Sequence, residues 1–461
     1  MRYVWVLIAL SLPARILLVQ RSFWLDEAWV ANAALEPAWR DMFYYPWFAQ
    51  TTPPGFLVLA RLTGASRAVP FLAGIAACWV IARLLKQRVG EKAAVAATAV
   101  LACNYALILY GSQLKQYSVD VLAASVCLYA ILIPPPRAWL MALCVFIPFV
   151  SFPSVFFLPA LLWRGGWWNA LASGASLAVN YFVFILPNRN EAFQASWLGH
   201  FLDPVHPFDS LLRMFWSAAT LLLPVGSTPG WVLVAIATTA AIAGVCLLRD
   251  WRAGLPALAA ISVSFAGVYP LLDAPRVLLW MLPLLAIGLG VVAERLPRWM
   301  VLVGALGAVG GMQFIFFTRP PSNENNREAV ASLTGARAVY VHAGVIEQFN
   351  YYRRFHDFST TQILYGATSP PCCMLRVQER AAFPGAESFE AEILNAADKH
   401  RRFSIYSPSG ADGHFGAFMR EKLNKLPGLK PGCRVAESRN FDQVVTTLFV
   451  CEDVPSQNAI Q

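Results

Sequence analysis

Charge is scarce along this chain. Only 14% of its 461 residues are Asp, Glu, Lys or Arg, while 57% are hydrophobic. A soluble globular domain carries about 25% charged residues, so the soluble class is excluded and a polytopic membrane class is indicated. Nucleotide and hydrolase signatures are missing as well: there is no GxGxxG, no P-loop and no Ser-His-Asp arrangement in a supporting context. Histidine numbers only six. His342, His356, His400 and His414 lack ligand spacing, and the His200/His206 pair around Asp203 is separated by Pro204, so no zinc pattern emerges. The formal net charge of +9 lies mostly in residues 1–317 and forms no basic stripe interleaved with aromatics. It reads as loop orientation and attraction to lipid headgroups, not as a nucleic-acid footprint.

What the chain has is apolar runs. They fall at 3–19, 68–85, 93–110, 118–133, 138–150, 154–163, 170–187, 231–248, 254–270, 277–293 and 299–317, bounded by Pro, Gly or charge. A hydrocarbon core of about 30 Å needs a helix of roughly 20 residues, and the first run, Tyr3 to Val19, is interrupted only by Ser11 and Arg15. Short loops rich in Lys and Arg stay cytoplasmic. With the N-terminus inside, Lys86 to Lys92, Arg137, Arg164, Arg249 with Arg252, and Arg295 with Arg298 all fall on the cytoplasmic side. The expectation is a polytopic α-helical membrane protein of about eleven spans, with everything after Thr318 on the outer face. The first run lacks a small-residue cleavage site, so it reads as an anchor and not as a cleaved signal peptide.

Composition changes at Pro320-Pro321-Ser322-Asn323-Glu324-Asn325-Asn326-Arg327. The expected division is therefore a membrane domain over 1–317, including a first outer loop over about 20–66, and an extracytoplasmic α/β domain over 318–461. In the latter, Ala338–Val341, Phe403–Tyr406 and Val444–Val450 read as strands, and 387–397 and 413–426 as helices. Five of the nine Cys lie in apolar runs as small core residues. Of Cys372, Cys373, Cys433 and Cys451, the preferred bridge is Cys433 with Cys451, on segments that pair as neighbouring strands; free buried thiols are the alternative.

Four polar places stand against the apolar background, and all lie on the outer face in this topology. They are Trp24-Leu25-Asp26-Glu27-Ala28-Trp29, Thr51-Thr52-Pro53-Pro54-Gly55-Phe56 leading to Arg67 and Pro70, Ser112-Gln113-Leu114-Lys115-Gln116-Tyr117, and Asp273-Ala274-Pro275-Arg276. Charge at a membrane boundary is paired, solvated or functional. The aromatics Phe23, Trp24 and Trp29 around the acids suit the headgroup level.

In this order the pieces resemble the polytopic GT-C glycosyltransferases that use polyprenyl-phosphate sugars, a group that includes protein O-mannosyltransferases and the lipid A aminoarabinose transferase. Asp26-Glu27 matches the family's acidic pair in the first outer loop. Pro53-Pro54-Gly55-Phe56-Leu57 matches its Pro-Pro turn, and Arg67-Ala68-Val69-Pro70 its Arg-x-x-Pro start of a span. Gln113-Leu114-Lys115-Gln116-Tyr117 matches a Glu-x-Arg-x-Tyr loop only in part, with Gln for Glu and Lys for Arg; Arg276 to Pro283 matches weakly. Loss of the second carboxylate disfavours a divalent metal, since hard cations are held by several oxygens.

The resemblance implies a membrane glycosyltransferase, inverting at the anomeric carbon, that moves a hexosyl or pentosyl group from a polyprenyl phosphate to lipid A, a polysaccharide or a protein hydroxyl outside the cytoplasm, in a bacterial inner membrane. Asp26 would be the general base with Glu27 supporting it; Lys115, Tyr117 and Arg276 would bind the donor phosphate; Arg67 and Gln113 would support the site. Plainer roles stand beside these. Asp26 caps a helix starting near Ala28, Lys115 snorkels at a span end, Tyr117 is a belt aromatic, and Arg276 pairs with Asp273. A transporter or flippase of lipid-linked sugars is the alternative, though the halves show no repeat symmetry.

Overall fold

The computed structural model describes residues 1–47, 51–189, 195, 197–222, 228–248, 250–273, 275–318, 325–366, 382, 388–408, 425, 432–441 and 444–451. The expected helix over 413–426, together with Cys372, Cys373 and His414, lies outside them, Lys425 excepted. Contacts divide the chain into two compact units. The first comprises Met1–Gln20, Thr51–Arg189 and Gln194–Pro320, and the second Arg21–Gln50, Asn190–Phe193 and Pro321–Gln461. The sequence groups residues 21–50 with the apolar runs on either side of them. Their contacts instead place them with the C-terminal residues.

In the first unit each of the eleven apolar runs is helical over all or most of its length. Among the described residues, Arg2–Val19 (α1), Ala68–Arg88, Gly165–Asn188, Pro275–Glu294 and Arg298–Thr318 are long and apolar enough to cross a membrane. Glu91–Ala102 and Tyr105–Gly111 form a sixth candidate, bent by 58°. The bend has a local cause. Asn104 leaves the first helix and caps the second, its side chain accepting from Leu107 N–H at 2.9 Å while its amide donates to the Leu221 carbonyl. Tyr117–Leu132, Arg137–Val150, Phe152–Trp163 and Ala235–Leu247 are apolar but shorter.

Small residues let these helices touch. A Cβ on Gly244 would come 1.9 Å from the Gly288 carbonyl oxygen, and one on Gly288 would come 1.9 Å from that of Ala241. The Thr228–Leu247 helix thus meets its neighbour backbone to backbone, as small-residue seams permit in lipid.

The second unit holds a five-stranded mixed sheet in the order β2-β1-β3-β5-β4. Its strands are β1 Ala338–Val341, β2 Gln362–Tyr365, β3 Arg402–Pro408, β4 Cys433–Phe441 and β5 Val444–Cys451. β1 pairs in parallel with β2 and β3, whereas β3–β5 and β4–β5 are antiparallel. Phe403, Ile405 and Phe449 face the Phe389–Lys399 helix through Ile393 and Ala396. Ser388 caps that helix, accepting from Ala391 N–H at 3.2 Å. β2 and β4 were not among the expected strands: β2 has only four residues, and most of β4 is exposed, with polar Arg434, Glu437, Ser438, Arg439 and Asn440. Cys433 and Cys451 stand opposite each other in the β4–β5 ladder and form a disulfide.

Candidate active site

In the second unit, the segment before Asp26 is pinned at Phe23. Its N–H donates to the Tyr352 hydroxyl at 2.6 Å, its carbonyl accepts from Asn326 Nδ2 at 2.9 Å, and its ring lies 4.8 Å from that of Tyr351. Phe23 and Trp29 are buried, so these two rings serve packing within this unit and not an interfacial belt. Helix α2, Leu25–Ala34, then begins with Trp24 at the cap. Asp26 and Glu27 occupy its first turn, where the partial positive charge of the helix end favours carboxylates. The capping role for Asp26 is therefore not what the chain adopts, since the helix starts earlier than Ala28. Asp26 is half-buried and Glu27 is buried.

The far end of α2 is gripped by a residue that carries no signal in the linear pattern. Asn32 Nδ2 donates to Glu347 Oε2 at 2.6 Å and to the Glu347 carbonyl at 2.9 Å, and the Tyr45 hydroxyl donates to the same Oε2 at 2.8 Å. All three side chains are buried. Burial pushes the Glu347 carboxyl up to about 8, against the opposing pull of the Asn32 and Tyr45 hydrogen bonds. Glu347 sits in the helix Ile346–Tyr352, which also carries Tyr351 and Tyr352, so one helix holds α2 at both ends.

In the first unit, Gln113, Lys115 and Tyr117 share one turn between Tyr105–Gly111 and Tyr117–Leu132. Ser112 Oγ closes it below, donating to Ile108 O at 2.8 Å and to Arg15 O at 3.3 Å, and Lys115 N–H donates to Gln113 O at 2.8 Å. Lys115 is only 4% exposed, and the Tyr117 ring lies 5.2 Å from that of Tyr110. A lysine so enclosed does not snorkel freely. Ser118 Oγ donates to Pro70 O at 2.8 Å, which ties this turn to the helix whose first cap is Arg67. Arg67 itself is buried and donates to the Val19 carbonyl at 2.6 Å. Arg276 is half-buried at the start of Pro275–Leu278. Asp273, offered above as its ion-pair partner, pairs with Arg213.

Two further charged groups lie in apolar runs and went unassigned. Asp120 is buried in the first turn after Lys115. Arg15 is 1% exposed; its Nε meets Ser11 Oγ at 3.4 Å, while Nη1 and Nη2 make no hydrogen bond among the described residues. A charge inside an apolar run was the available signal for both.

Among the described residues no group of three or more His, Cys, Asp or Glu is arranged to hold a metal. His200 has a structural bond instead, its Nδ1 lying 2.7 Å from the Leu272 carbonyl oxygen. An open groove of about 520 Å³ lies in the second unit and includes Arg337, Arg402 and Arg439, but none of the candidate site residues.

A bundle of long apolar helices carrying a small mixed α/β sheet defines the class: a polytopic membrane fold with an attached α/β unit. Two crystal structures share it. ArnT from Cupriavidus metallidurans in the apo state matches with a TM-score of 0.58 and 13% identity, over 97% of this chain and 97% of that one. The same protein bound to undecaprenyl phosphate matches with a TM-score of 0.57 and 14% identity, over 97% and 98%. At these identities the likeness is one of fold. No protein-family model and no curated protein matches the sequence.

Proposed function

We propose that this chain is an integral membrane glycosyltransferase of GT-C type, moving a sugar from a polyprenyl phosphate to an acceptor outside the cytoplasm. The observation that carries the reading is the end-to-end fold likeness to ArnT, one of whose structures holds undecaprenyl phosphate. The ordered motifs from Asp26 to Tyr117 support it. In its fuller form all eleven apolar helices cross a bacterial inner membrane, with the N-terminus cytoplasmic and the C-terminal unit periplasmic.

In the reaction an acceptor oxygen, on lipid A, a polysaccharide or a protein, bonds to the anomeric carbon. The bond from that carbon to the phosphate oxygen breaks, and lipid phosphate leaves with the electron pair. Asp26 takes the acceptor proton as general base, with Glu27 in support. Lys115 and Arg276 neutralise the charge developing on the leaving phosphate, where a fixed cation is most effective, and Tyr117 adds a hydroxyl donor. Direct displacement inverts the anomeric centre of the hexosyl or pentosyl group. Arg67 and Gln113 act in support, Arg67 through the outer end of α1.

The test is turnover of a polyprenyl-phosphate sugar by the full chain in nanodiscs. Asp26→Asn is expected to keep donor binding and lose turnover by about 10²–10⁴-fold, whereas Lys115→Ala is expected to weaken donor binding and lower turnover together. An Asp26→Asn protein with undiminished turnover overturns the assignment of the base. A full chain that moves lipid-linked sugar across vesicles without transferring it favours a transporter.

A further inference from the structure

We infer that Glu347, acting as a neutral acid through Asn32 and Tyr45, is a positioning residue that fixes the helix bearing Asp26 and Glu27. The role rests on the reading of Asp26 as the base. The hydrogen bonds fix the position of the carboxyl, and its burial favours the neutral acid. Oε2 accepts two hydrogen bonds, from Asn32 and Tyr45, while Oε1 has no hydrogen-bond partner among the described residues. In the neutral acid Oε2 is the carbonyl oxygen that accepts from Asn32 and Tyr45. Burial of a side chain with no exposed surface disfavours the charged form and outweighs the pull of Asn32, Tyr45 and Arg354 toward it.

The grip reaches the base through one short rigid body. Asn32 lies six residues after Asp26, less than two turns along α2 at 3.6 residues per turn. The same Ile346–Tyr352 helix holds the other end of α2 through the Tyr352 hydroxyl on Phe23 N–H. With both ends fixed, the first turn of α2 has little freedom to swing. The charged and titratable groups acting on the Glu347 carboxyl are Tyr45, Arg354 and Glu36. Asp26 and Glu27 on α2, Arg327 and Glu328 on the Asn326–Ala331 helix, and Arg353 stand on elements packed against its helix.

Glutamine is the decisive substitution, because its amide oxygen accepts both bonds and no proton is needed to keep it neutral. In the full chain, kcat and donor KM are measured from pH 6 to 9 for wild type, Glu347→Gln, Glu347→Ala and Asn32→Ala, with Asp26→Asn alongside. Wild type is expected to decline on the alkaline side near pH 8, and Glu347→Gln to keep kcat within about twofold at neutral pH without that decline. Glu347→Ala and Asn32→Ala are expected to lower kcat by about tenfold or more while donor KM changes little, since small misplacement of a reacting group is costly.

Trypsin cleavage at Arg21 and Arg40 reports the hold on α2 independently of turnover. Glu347→Gln should stay protected and Glu347→Ala should open. Equal loss in the Gln and Ala variants overturns the inference, as does an unchanged kcat in Glu347→Ala while Asp26→Asn is inactive. An active Asp26→Asn protein instead removes the reading of the base on which this role rests.

Discussion

Arg15 shows at the level of single residues how this membrane unit makes room for a charge. Its guanidinium is enclosed by glycines on two sides: a Cβ on Gly74 would lie 3.0 Å from Nη1, and one on Gly111 would lie 3.1 Å from the same nitrogen. Either methyl alone pushes the cation aside by a few tenths of an ångström. Gly74→Ala and Gly111→Ala are each expected to cost about 1–3 kcal/mol, and the double variant more than their sum, because they share one partner. Thermal unfolding in detergent of the three variants checks this, and additive shifts count against the wedge. Arg15 was visible in the sequence as a break in an apolar run, but the two glycines that enclose it were not, since they stand on other helices.

The presence of the helices was the most legible feature, their ends less so, since the run at 254–270 is α-helical only over Leu255–Phe265, and their contacts the least. The eleven runs follow from hydropathy summed locally, and even the bend at Asn104 arises from an ordinary cap at a break in one run. The Gly244–Gly288 seam does not announce itself, because glycine is scattered through all these helices and only the crossing gives two of them a reason. Gly288→Val is expected to destabilise by about 3 kcal/mol or more, since the obstructing atom is a backbone oxygen that cannot rotate away. Gly304→Ala, with nothing near its added methyl, should be neutral or gain up to about 1 kcal/mol of helix propensity. Melting temperatures of the two proteins side by side provide the comparison.

For the whole molecule, two buried groups of the second unit set opposing limits on pH. Burial lowers His342 to about 4, so the folded state binds fewer protons than the unfolded one between there and about 6.5. Its contribution is full above 6.5 and is lost as pH falls toward 4. Glu347 works the other way. With its carboxyl raised to about 8, its contribution is full below about 4.5 and is lost as pH rises toward 8. Stability of this unit is expected to peak between these limits, with Glu347→Gln flattening the alkaline side and His342→Gln the acid side. Denaturation midpoints of the full chain from pH 4 to 9 measure both, and an unaltered alkaline slope in Glu347→Gln contradicts the assignment.

The amino-acid order alone determined the apolar helices, the central strands β1, β3 and β5, and the position of the acidic pair, because hydropathy, strand alternation and charge at a run's end are properties of neighbours along the chain. Only the tertiary structure decided that residues 21–50 belong with the C-terminal unit and that Glu347 holds α2. Asn32 and Glu347 are 315 positions apart, and a buried acid gains its meaning from the donors folding brings to it, which no local window of sequence contains.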